Sequence, residues 1–219
     1  MDVFAKREKF MFTRHPLNPL ITPQQVRSSR PDYEVIGAFN AGATLFGDET
    51  LLLLRVAERP LERDADWILC PALNAAGDVT LLRVRRDDPA YDTQDPRFVR
   101  HRQTGMIHLT SLSHLRLARS SDGVRFTVDE QPWLTAQPPY ETYGTEDARI
   151  TRLGDRYFIN YTAVSPHGIA TAFLSTPDFV TLERHGLLLP PSNRDVAVFP
   201  QKSTVFIPAI TAPCRILGI

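Results

Sequence analysis

Glu146, Asp147 and Arg149 fall within four consecutive positions of Gly144-Thr145-Glu146-Asp147-Ala148-Arg149-Ile150. Two acids beside a guanidinium can move a proton and grip a polar ligand. The residues that follow run through Leu153-Gly154-Asp155 into Arg156-Tyr157-Phe158-Ile159-Asn160-Tyr161, which predicts a β-hairpin. Asp147 would sit at its mouth, where a catalytic carboxylate meets a ligand while the strands behind hold it still. Other clusters carry weaker chemistry. His101, His108 and His114 match no zinc spacing. Ser111 and Ser113 near His114 lack the glycine-flanked elbow of a nucleophile. Asp87, Asp88, Asp92 and Asp95 lack the glycine and terminal glutamate of a calcium loop and read as a polar loop over the site. Cys70 and Cys214, far apart, suggest neither disulfide nor zinc, so no metal is expected.

The positioning elements are strands. Eighteen prolines and eleven glycines break the chain into short apolar runs, and few windows hold a helical period, so an all-β fold is expected. Four strands are predicted in succession at 147–153, 156–163, 169–175 and 181–189, separated by turns at Gly154, Pro166-His167-Gly168 and Pro177-Asp178. That is the pattern of one propeller blade. Ala118-Arg119-Ser120-Ser121-Asp122-Gly123 parallels Phe173-Leu174-Ser175-Thr176-Pro177-Asp178, a weak internal repeat. A strand-turn-strand unit is predicted from Ala43 to Arg55, with Leu51 to Leu54 as a buried central strand, and another unit opens at Asp195.

Composition narrows the partners. The 219 residues are 42% hydrophobic and 23% charged, ordinary for a globular chain. Lysine plus arginine (25) equal aspartate plus glutamate (25), and no basic stripe carries interleaved aromatics, so nucleic acid is not expected. Charges in the first ten residues interrupt the apolar run of a signal peptide, and no stretch has spanning length; a cytoplasmic protein without a membrane partner is expected. A compact neutral ligand suits these numbers.

Phe39-Asn40-Ala41-Gly42-Ala43, Leu53-Leu54-Arg55-Val56, the Gly144 to Ile150 block and Asn193-Arg194-Asp195-Val196-Ala197-Val198-Phe199-Pro200 together resemble glycoside hydrolase family 130, from about Asn18 to Lys202. That family contains β-mannoside phosphorylases and some mannosidases. The resemblance implies a five-bladed β-propeller whose inner strands converge on a funnel holding a small carbohydrate substrate. It gives Asp147 the role of general acid, though Ala148 stands where the family's block has proline. It implies sugar binding by Asn40 and Arg55, with Glu146, Arg149 and Asp195 around the same sugar, and phosphate binding by Arg184 and Lys202. Tyr143, just before the acid block, is a candidate for stacking on a sugar face. Trp67 and Trp133 are further aromatic candidates for stacking on a sugar face, with core packing as the alternative for Trp67. No cofactor is implied beyond inorganic phosphate as co-substrate.

The chemistry expected from the resemblance is phosphorolysis with inversion, because a sugar leaves poorly as an alkoxide and needs a proton as its anomeric carbon becomes cationic. Gly168-Ile169-Ala170 lacks an arginine common in the phosphorylases, which keeps inverting hydrolysis as an alternative, with Glu183 or Asp195 as base. The segment 203–219 departs from the family pattern. The expectation is therefore one truncated domain over 1–219, about three blades plus an irregular tail. An inactive or merely sugar-binding fragment is the alternative of another class, and unpaired strand edges make a homo-oligomer possible.

Overall fold

The computed structural model describes residues 13–200 and 209–213, and every element but one 3-10 turn, Pro23–Gln25, is a strand. β1 (Tyr33–Phe46), β2 (Glu49–Pro60), β8 (Leu112–Ser120) and β9 (Thr127–Val128) form one four-stranded antiparallel sheet in that order. A second contains β10 (Thr145–Leu153), β11 (Arg156–Ser165), β12 (Gly168–Thr176) and β13 (Glu183–Leu189), and a third begins with β14 (Asn193–Val198) and β15 (Ala209–Pro213). The β1/β2, β10/β11 and β11/β12 hairpins close through two residues each, pairing Phe46 with Glu49, Leu153 with Arg156 and Ser165 with Gly168. Short loops of this kind fix register, and register decides which side chains face inward.

The inward set is apolar. Leu51, Leu53, Leu115 and Leu117 of the first sheet meet Tyr157, Ile159, Ala172 and Leu174 of the second in one buried cluster. Truncating a fully buried leucine such as Leu53 to alanine would cost about 2–5 kcal/mol. Phe46, Tyr157, Phe179 and Trp133 close one end, with the Phe46 and Phe179 rings edge-on at 5.4 Å. The third sheet is fastened to the second by side chains: Asn160 Nδ2 donates to the Val196 carbonyl at 2.9 Å and Thr151 Oγ1 to that of Val198 at 3.1 Å.

The first two sheets repeat each other in detail. β8 ends in a turn where Asp122 accepts from the Val124 and Arg125 amides at 2.8 and 2.7 Å and from Ser120 Oγ. β12 ends likewise: Asp178 accepts from the Val180 and Thr181 amides at 2.9 and 2.7 Å and from Thr176 Oγ1. The opening strands repeat too. Apart from a slip between Val35 and Gly37, β1 matches β10 and β14 in slipping register at one place, between Phe39 and Gly42, Glu146 and Arg149, and Arg194 and Ala197 respectively. Each of these matching slips contains a left-handed residue, Asn40 (φ 50°), Asp147 (φ 47°) or Asp195 (φ 56°). Such a backbone costs a side-chain-bearing residue about 1–3 kcal/mol, and Asn and Asp tolerate it best.

Three sequence expectations change. The Asp87 to Arg97 segment, expected as a polar loop, belongs to an insertion between β2 and β8 that carries strands of its own. Within that insertion β3 (Trp67–Leu73) pairs with β4 (Val79–Arg85), while β5 (Tyr91–Asp92), β6 (Phe98–His101) and β7 (Ile107–Leu109) form another small sheet around Cys70, Val84 and Val99. Within the expected irregular tail, Ala209–Pro213 is a strand paired with β14; the rest of 203–219 lies outside the described residues. Trp133 is core material, its indole N–H donating to the Phe179 carbonyl at 2.6 Å.

Candidate active site

The left-handed turn at Asp147 lets β10 carry two successive acids toward one cation on the neighbouring sheet. Arg55, on β2, donates from Nη2 to Glu146 Oε1 at 2.6 Å and from Nη1 to Asp147 Oδ1 at 3.1 Å. Its Nε donates to Ser113 Oγ at 3.2 Å, and that hydroxyl donates to Glu146 Oε1 at 3.1 Å. Asn40 adds a donor from its own left-handed turn, Nδ2 to Asp147 Oδ1 at 3.1 Å. Phe39 lies under the guanidinium, 4.8 Å from its ring centre, a cation–π contact that holds Arg55 flat.

Two glycines let the backbones close around this group. A Cβ on Gly42 would stand 2.8 Å from the Ala148 carbonyl, so β1 and β10 come this near only through glycine. Gly144, at φ +100°, carries the chain past Ser113, whose carbonyl oxygen would lie 1.9 Å from an added Cβ.

The electrostatics separate the two acids. Burial, and then the Asp147 charge, push the Glu146 carboxyl above its ordinary value, with Arg55 and the Ser113 hydroxyl pulling the other way. Asp147 takes both of its hydrogen bonds on Oδ1; among the described residues none falls on Oδ2. Phe39, Asn40 and Arg149 are exposed, so the group opens onto solvent, and neither of two cavities elsewhere contains any of it. The arrangement can hold a polar ligand against a fixed carboxyl oxygen and stabilise the carboxylate left after proton transfer.

Asn40, Arg55, Glu146 and Asp147 are thus brought together. Arg149 is exposed next to them; among the described residues its side chain makes only a long bond of 3.4 Å to the Ala148 carbonyl. Asp195 occupies the equivalent left-handed position on β14, exposed and paired with Arg194 at 3.3 Å. Tyr143 is not offered to a ligand: it is buried, its hydroxyl donates to the Ile107 carbonyl at 2.8 Å, and burial raises it to about 12. Arg184 is also drawn elsewhere. On β13, three strands from β10, its Nη1 lies 3.1 Å from Glu141 Oε1 and 2.9 Å from the Tyr161 hydroxyl, and Nη2 donates to the Thr135 carbonyl. Glu183 pairs with Arg156 at 2.6 Å on the same outer strand. Lys202 lies outside the described residues. Ser113 and Phe39 are the members that sequence reasoning missed; Phe39 sits directly opposite Arg55 across the β1/β2 ladder, and Ser113 lies two pairs along the β2/β8 ladder from Arg55, opposite Ala57, which no local pattern signals.

Of the histidines, His101 and His108 flank Tyr91, and His114 belongs to a sealed network. His114 Nε2 accepts from Arg116 Nη2 at 2.9 Å, and burial lowers it to about 3. Arg116, fully buried, lies 3.6 Å from Glu58, which accepts from the Ser29 amide and hydroxyl at 2.7 and 2.6 Å. Among the described residues no cluster of three or more His, Cys, Asp or Glu could hold a metal ion, and no helix is long and apolar enough to cross a membrane.

The strand architecture and the acid pair on its bulged inner strand define a class. A family model described as beta-1,4-mannooligosaccharide phosphorylase matches residues 96–212, and the chain belongs to glycoside hydrolase family 130. Its relatives include a beta-1,2-mannobiose phosphorylase of Listeria innocua, 47% identical over 86% of this chain and 54% of that protein. The solved structure of a beta-1,2-mannobiose phosphorylase from Listeria innocua with beta-1,2-mannobiose superposes with a TM-score of 0.87 at 44% identity, covering 94% of this chain and 59% of the other. A glycosyl hydrolase from Bacteroides ovatus shares the fold at 16% identity, with a TM-score of 0.56 over 84% of this chain and 45% of its own. The chain spans about half the length of the curated relatives it matches.

Proposed function

We propose that this chain is part of a phosphorylase that cleaves a β-1,2-linked mannoside with inorganic phosphate and inversion, Asp147 acting as general acid. The observation that carries the reading is the Asp147 carboxyl, gripped through Oδ1 by Asn40 and Arg55 with Oδ2 unengaged among the described residues. Phosphate attacks the anomeric carbon as the bond to the leaving oxygen breaks. A proton from Asp147, passed directly or through a sugar hydroxyl, neutralises that oxygen. The carboxylate left behind is stabilised by the two donors already in place. Arg149 and Asp195, both exposed, would take sugar hydroxyls or phosphate.

The repeated sheets support reading β1-β2-β8-β9 and β10 to β13 as two blades and β14-β15 as the start of a third, in a propeller of five. Names of relatives at 47 and 25% identity favour a β-1,2-mannoside as substrate. Hydrolysis is favoured by one observation, that Arg184 is spent on Glu141 and Tyr161. Asp195 would then activate water. Incubation with β-1,2-mannobiose decides. Mannose 1-phosphate formed only with phosphate supports the proposal, free mannose without phosphate supports hydrolysis, and no product under either condition overturns both.

A further inference from the structure

A cavity of about 410 Å³ lies between the end of β2 and the inserted sheets, lined by none of Asn40, Arg55, Ser113, Glu146 or Asp147. We propose that it binds a neutral, hydroxyl-rich saccharide as a site separate from the Asp147 group. Its volume falls in the ordinary range for small-ligand pockets, about 300–1,000 Å³.

The charges in the wall argue for a neutral guest. Arg59, Arg63 and Arg86 are matched by Glu62, Asp64 and Asp95. Most of these are already committed. Glu34 pairs with both Arg59 and Arg63, Glu62 takes Arg83 through two bonds of 2.7 and 2.9 Å, and Asp95 takes Arg97 through two of 3.0 and 2.7 Å. Among the described residues Arg86 alone of the three wall arginines is left without an acid, whereas a phosphate or carboxylate is best held by several free cations.

What is left unengaged suits a sugar. Among the described residues the Arg86 guanidinium, the Gln94 amide and the Trp67 indole N–H have no hydrogen-bond or ion-pair partner, and all three residues line the cavity. The first offers donors, the second both donors and an acceptor, matching hydroxyls that give and take bonds. Trp67 also presents a flat ring, the partner for the C–H face of a pyranose. Core packing does not absorb it: it belongs to none of the three buried clusters.

The two tryptophans give a direct test. In ¹H–¹⁵N spectra of the full chain in phosphate-free buffer, the two indole N–H signals are assigned with Trp67→Phe, and β-1,2-mannobiose, cellobiose and maltose are titrated in turn. A saturable shift of the Trp67 signal with at least one disaccharide, Trp133 remaining still, is expected. Arg86→Ala and Gln94→Ala should each weaken it about 2- to 10-fold, the loss of one hydrogen bond. The proposal is overturned if no disaccharide moves the Trp67 signal, if inorganic phosphate moves it instead, or if both cavity variants leave the midpoint unchanged. Because no turnover is read, an absence of phosphorolysis would not produce a negative result here.

Discussion

Two arginines on the first sheet meet carboxylates in opposite ways. Arg55 faces two acids, one of them with a free oxygen, at an opening lined by exposed Phe39 and Asn40. Arg116 faces one acid, Glu58, and a neutral imidazole, with the guanidinium and Glu58 sealed from solvent. The first arrangement carries more acid than cation and keeps an oxygen outward, which proton transfer requires. In the second, charge is matched and Glu58 is saturated by Ser29, which serves the fold. Burial and stoichiometry, rather than the presence of an ion pair, separate a reactive cluster from a structural one.

The sharpest way to break this contrast is Asp147→Asn. Asparagine tolerates the left-handed backbone equally well, so the fold should persist while turnover of mannobiose falls about 10²–10⁴-fold. A steady-state assay beside a melting curve checks both halves, and an unchanged rate would remove the acid assignment. On the structural side, Glu58→Leu strands a buried guanidinium and should cost about 3–5 kcal/mol in denaturant unfolding.

The pH responses should carry opposite signs. His114 is held near 3 in the folded chain against 6.5 unfolded, so below 6.5 the unfolded state binds the extra proton and stability is lost as pH falls toward 3. His114→Gln keeps an acceptor for Arg116 and should flatten that acid limb. Glu146 is raised above 4.5, so its folded form holds a proton longer and its contribution is lost as pH rises from 4.5 to the folded value. The smallest effect is expected from Ser113→Ala, which removes a bond to the Glu146 carboxylate. It should shift that carboxyl further upward in a ¹³C NMR titration, with no change at His114.

The second sheet was readable because its neighbours in sequence are neighbours in space. Strands expected at 156–163 and 169–175 appear as Arg156–Ser165 and Gly168–Thr176, bounded by the Gly154 and Pro166 turns. The Leu51 to Leu54 run was legible from composition alone. The rest of the first sheet was not, because β2 pairs with β8 across the whole insertion, and a non-local ladder leaves no periodic trace. Ser113 and Tyr143 show the same limit within the site. The ladder sets Ser113 beside Arg55, while three-dimensional packing turns Tyr143 inward to Ile107.

The left-handed residue that recurs on β1, β10 and β14 constrains how this scaffold can change. Glutamate, ordinarily the mildest exchange for an aspartate, lacks the short side chain that makes such a backbone tolerable and would push its carboxyl past Arg55. Drift at 40, 147 and 195 is thereby confined to a very small alphabet, so a new specificity would have to arise from the ladder partners and rim residues around these three points.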